Sequence, residues 1–111
     1  MRPIKVTIPV TVVGGHASAP RAVVQCDADV EWEIEGDLGD DDEVCIVNFA
    51  DHGKPSPMRG KDIDRKRKGT GSVCDHVKKD ASEDTYDYAI SVTRAASGVA
   101  QMVDPQIQIK S

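Results

Sequence analysis

From residue 4 to residue 12 the even positions are apolar, Ile4, Val6, Ile8, Val10 and Val12, and Lys5, Thr7, Pro9 and Thr11 lie between them. A period of two predicts a strand with one buried face. Pro9 cannot donate to a ladder, which places it at an edge or a bulge. Gly14-Gly15 ends this strand, and His16 to Pro20 reads as loop. Arg21 to Cys26 is a short apolar stretch and a second strand. Val30, Trp32 and Ile34 then alternate with Asp29, Glu31, Glu33 and Glu35, a third strand with a wholly acidic outer face. Such charges also discourage unwanted edge pairing. Gly36 to Asp42 is a turn. Val44 to Phe49 is almost continuously apolar, as expected for a central strand buried on both faces of a two-layer structure.

The period is lost from Ala50 to Thr70. This segment holds Gly53, Pro55, Pro57, Gly60 and Gly69 and ends on the basic run Arg65-Lys66-Arg67-Lys68. It reads as a long excursion with little regular structure, and long loops in small domains are usually functional or disordered. Val73 to Val77 is a short strand. Tyr86, Tyr88, Ile90 and Val92 share one face of a single strand. Ala95 to Val103 reads as a loop or one helical turn, and Gln106 to Lys110 as the closing strand. No segment keeps a helical period. The pattern predicts one domain over residues 1–111, an all-β Greek-key sandwich of seven to eight strands. Its expected core is Val6, Ile8, Val10, Val24, Trp32, Ile34, Cys45, Val47, Phe49, Tyr88, Ile90, Val92, Ile107 and Ile109.

Composition supports this reading. The 111 residues suffice for one hydrophobic core, and at 4% aromatics that core must be built mainly from β-branched and small side chains. No run approaches the length needed to cross a bilayer, so no membrane partner is expected. The first ten residues do not form a secretory leader, which favours the cytoplasm. Cys26, Cys45 and Cys74 are odd in number and widely spaced. They read as three reduced thiols, with one bridge plus a free thiol as the rival.

Charge is segregated. Asp27 to Glu43 holds ten acids and no base, whereas Lys54 to Lys68 holds seven bases against Asp62 and Asp64. Either the two blocks are solvated faces that balance each other in one molecule, or they form a dipole that binds a partner. The net charge of −5 argues against general nucleic-acid binding, which needs a basic surface.

Several short segments stand in a recognisable order: Gly36-Asp37 or Gly39-Asp40, the apolar strand Val44 to Asn48, Asp51-His52, and later Thr85-Tyr86-Asp87-Tyr88 and Asp104 to Ile109. This order resembles the cupredoxins, and an immunoglobulin-like sandwich would run similarly. The likeness spans roughly Trp32 to Ile109. A blue-copper centre needs two His and a Cys thiolate, usually with an axial Met. His52 matches the family's first His. After Tyr88, however, there is neither Cys nor His, and Met102 is the only ligand type of that set. The resemblance therefore implies the fold without the family's copper site, and no cofactor is expected.

Other chemistry is thinly supported. Cys74-Asp75-His76 places a thiol and an imidazole on one face of a strand. With His52, and with Met58 in the same region, they form the candidate metal set His52, Cys74 and His76. Asp75 would face the opposite way and could not orient His76 for nucleophilic catalysis. Asp37, Asp40, Asp41, Asp42 and Glu43 offer oxygen ligands, but not at Ca²⁺-loop spacing. Gly69-Thr70-Gly71-Ser72 follows a basic run yet lacks the Lys of a phosphate loop.

The expected function is a non-catalytic interaction module, monomeric or homodimeric, that contacts a protein partner through a charged loop. Its candidate binding residues are Arg59, Lys61, Arg65, Lys66, Arg67 and Lys68. The alternative is a metal-binding cupredoxin relative that takes copper or zinc.

Overall fold

Alternation places Ile8, Val10 and Val12 on one side of the first strand and Val30, Trp32 and Ile34 on one side of another, and all six are buried. The two strands lie side by side and in parallel, with Ile8 opposite Trp32 and Val10 opposite Ile34. The computed structural model describes residues 5–14, 16–47, 57–58, 65–96, 98 and 100–110, with backbone alone at positions 47, 65, 66 and 100. Among the described residues there is no helix.

The strands are β1 (Lys5–Val13), β2 (His16–Ser18), β3 (Ala22–Gln25), β4 (Asp29–Gly36), β5 (Glu43–Val47), β6 (Arg65–Lys68), β7 (Gly71–His76), β8 (Asp84–Asp87), β9 (Ala89–Thr93), β10 (Ala100–Val103) and β11 (Gln106–Lys110). They form three sheets, ordered β2-β1-β4-β7, β10-β9-β5-β6 and β3-β11-β8. Two pairings are parallel, β1 with β4 and β3 with β11; the others are antiparallel. The result is an all-β sandwich whose layers share one core cluster of apolar side chains.

Two of the sheets are joined by a bent ribbon. β8 continues into β9 through Tyr88, and β10 continues into β11 through Asp104-Pro105. The Tyr88 amide donates to the Pro105 carbonyl at 3.1 Å, so pairing persists across the bend. The single strand expected from Tyr86 to Val92 is thus two strands in two sheets, although Tyr86, Tyr88, Ile90 and Val92 are all buried as its period required.

Several expectations are corrected. Eleven strands are present among the described residues where seven to eight were expected. His16 to Pro20, read as loop, contains strand β2, paired antiparallel with β1. Arg65 to Lys68 is not part of an irregular excursion: it is strand β6, paired antiparallel with β5. The stretch Ala95 to Val103 contains strand β10, paired with β9. In β5 the core side chains are Val44 and Ile46, while Cys45 is half-buried on the outer face. A continuous apolar run has no alternation, so it does not reveal which parity faces inward. Of the other expected core residues, Val6 is partly buried at the margin, and Phe49 and the side chain of Val47 lie outside the described residues. Among the described residues Cys26, Cys45 and Cys74 form no disulfide.

Candidate interaction surface

Strand β6 is four cations in a row, a composition with little intrinsic strand preference. Register with β5 holds it: Lys68 lies opposite Glu43, Arg67 opposite Val44, Lys66 opposite Cys45 and Arg65 opposite Ile46. Among the described residues β6 is also the last strand of its sheet. An edge position tolerates cationic residues, because they reach water and need no second neighbour. The turn into β7 depends on glycine. Gly69 and Gly71 both have positive φ, at 72° and 142°. A Cβ at Gly71 would occupy the space of the Arg67 guanidinium.

The cations of β6 are not equivalent. Arg67 donates from Nε to the Thr70 carbonyl at 2.9 Å, which ties its side chain to the turn. Lys68 is exposed and forms no ion pair among the described residues, although Glu43 lies opposite it in the register. Val44 and Ile46 face the core, so position 68 falls on the outer face of the sheet, beside Glu43. Arg59 and Lys61 lie outside the described residues, as does His52.

On the opposite side of the sandwich, the outer face of β2-β1-β4-β7 carries the acids of β4. Its two halves differ. Near the start of β4, Glu31 pairs with Lys5 at 3.3 Å and accepts from the Cys74 thiol at 3.8 Å. Asp29 faces His76 Nδ1 at 2.6 Å, and Asp27 faces His76 Nε2 at 2.8 Å. Only an imidazolium donates from both ring nitrogens, so that form satisfies both contacts. Asp27 reaches this position with a φ of 68°, a left-handed conformation that Asp tolerates. Farther along β4, Glu33 and Glu35 are exposed and have no cationic partner among the described residues. Their cross-strand neighbours are uncharged: Pro9 and Ser72 beside Glu33, and Thr11 beside Glu35.

Cys74 and His76 do share a strand face, and the structure assigns them different carboxylates on β4. Among the described residues no group of three or more His, Cys, Asp or Glu side chains is placed to hold a metal ion. Asp75 is turned away from that face, and one of its carboxylate oxygens accepts from the His76 backbone amide at 2.7 Å. The Asp42 carboxylate is occupied within the fold. It accepts from the amides of Gly39 and Ala95 and from Arg94 Nη1, each at 2.9 Å. Arg94 also donates to the Asp37 carbonyl at 2.7 Å. These bonds, that from Ala95 first, then Gly39 and Arg94, hold the Asp42 carboxyl below its ordinary value. Asp42 thus acts as a staple between the β4–β5 turn and the end of β9, which sequence spacing did not disclose. An open polar groove beside β8 and β11 is lined by Glu83, Asp84, Thr85, Gln108, Ile109 and Lys110.

No protein-family model matches this sequence, and no curated protein matches it.

Proposed function

We propose that this protein is a non-catalytic interaction module that engages an acidic protein segment along strand β6. The observation that carries the reading is an edge strand made wholly of cations, Arg65 to Lys68, with Lys68 exposed and unpaired among the described residues. An edge presents backbone donors and acceptors that an added extended segment can use. Its charge selects the segment, repelling basic strands and attracting acidic ones. The same proposal takes the sandwich as a Greek-key fold similar to the cupredoxins or to immunoglobulin-like domains. Its supports are Gly36-Asp37, the β5 strand and Thr85-Tyr86-Asp87-Tyr88.

Fluorescence anisotropy with a labelled Asp- and Glu-rich peptide tests this reading. The wild type should bind at low ionic strength and release the peptide as salt is raised. The double variant Lys66→Glu, Lys68→Glu should bind markedly more weakly. Unchanged binding by that variant removes β6 as the contact.

A further inference from the structure

Strand β3 presents a different kind of edge from β6, and we infer that through it two copies of this chain pair antiparallel about a two-fold axis at Val23. Among the described residues β3 is the last strand of its sheet, with β11 as its neighbour. The Cys26 amide donates to the Lys110 carbonyl at 2.8 Å. Backbone groups along a strand point alternately to its two sides, so Ala22, Val24 and Cys26 turn theirs to β11. Arg21, Val23 and Gln25 turn theirs to the open edge. Side chains alternate as well: Val24 is buried in the core, whereas Val23 is 53% exposed.

The open edge is bounded and symmetric. Pro20 precedes it and has no amide to donate. A turn follows it, in which the Ala28 amide donates to the Gln25 carbonyl at 3.3 Å. The free stretch is therefore Arg21 to Gln25, with Val23 at its midpoint. When two such stretches run antiparallel, Val23 of one copy exchanges both backbone bonds with Val23 of the other, and Arg21 of each meets Gln25 of the other. Two exposed valines then leave water together. Each guanidinium, which already donates to Gln108 Oε1 at 3.2 Å, faces a neutral amide. Other edges oppose like charges in the same arrangement: β6 sets cation against cation, and β8 sets Asp84 against Asp87. Strand β10 is uncharged but packs beside β2. Pairing through β3 joins the β3-β11-β8 sheets of two copies into one, and the contact is isologous, so it closes at a dimer.

Sedimentation velocity over a concentration series tests the inference with wild type, Val23→Lys and Val23→Ile. Circular dichroism and Trp32 emission establish that each variant folds. As concentration rises the wild type should pass from monomer to dimer and no further. It should do so at about 300 mM ionic strength as at about 10 mM, because the contact contains no ion pair. Val23→Lys sets two ammonium groups on the axis and should stay monomeric throughout, whereas Val23→Ile should keep the dimer. Amide hydrogen exchange of the wild type supplies a readout that needs no variant. Protection of the Val23 amide should rise with concentration, while the Val24 amide, turned to β11, should not change. A wild type that is monomeric at every concentration overturns the inference. So does a dimer that survives Val23→Lys, one that dissolves at high salt, or one that leaves Val23 exchange unchanged.

Discussion

The indole Nε1 of Trp32 donates to the phenol oxygen of Tyr88 at 3.1 Å in the centre of the core, with the two rings edge to face and their centroids 5.9 Å apart. The bond joins β4 in one layer to the bend between β8 and β9 in the other. Tyr88→Phe keeps the ring and removes the acceptor, so it should cost about 1–2 kcal/mol in urea unfolding followed by Trp32 emission. Burial raises the Tyr88 pKa above its ordinary value of 10.0, and the Trp32 bond lowers it in part. The unfolded chain therefore releases this proton first. The Tyr88 contribution is complete below pH 10 and is lost as pH climbs toward the folded value. The stability gap between wild type and Tyr88→Phe should narrow above about pH 10.

The Asp42 staple has the opposite pH sign. Its carboxyl is held below the ordinary value of 3.8, so its contribution is complete above that value and is lost as pH falls through the folded one. Asp42→Asn should lower the melting temperature at pH 7, and the difference from wild type should shrink on acidification below pH 4. A constant difference would contradict the assigned bonds.

Two glycines should respond very differently to alanine. Gly36 has a φ of 114°, and a Cβ there would collide with the Val12 backbone, whose carbonyl accepts from the Asp37 amide at 2.7 Å. Gly14 has a φ of 58° and open space around its Cβ position. Gly14→Ala should cost about 1–2 kcal/mol for the left-handed conformation alone. Gly36→Ala should cost clearly more, because the β1–β4 pair must also part. Denaturant midpoints of the two variants measure the contrast.

The parity of β5 gives a further check. Ile46 is fully buried, so Ile46→Ala should destabilise by about 2–5 kcal/mol. Cys45→Ala, on the outer face, should cost much less. The reverse order would restore the core parity that the sequence suggested.

Where side chains alternate, sequence and structure agree: β1, β4, β9 and β11 follow from period two, and the Trp32 and Ile90 faces are as expected. Elsewhere the deciding interaction is not local. β6 is a strand because β5 supplies its partner, and its own residues carry no strand signal. β10 is short, and its pairing with β9 is what defines it. Tyr88 continues the alternation of its neighbours, so the change of sheet at that point leaves no mark in the pattern. The segregation of charge was visible in the sequence. That Glu31 meets Lys5 and Asp29 meets His76, while Glu33 and Glu35 meet no cation among the described residues, depends on register across three strands, which no linear pattern reports.

The most direct test of the central claim, that β6 is the contact strand, is a ¹⁵N–¹H correlation spectrum of the protein titrated with the unlabelled acidic peptide. The account predicts saturable shifts concentrated at the amides of Arg65 to Lys68 and their β5 partners, Glu43 to Ile46. Shifts centred on Lys5 or Lys110, or no saturable shifts at low ionic strength, would contradict it.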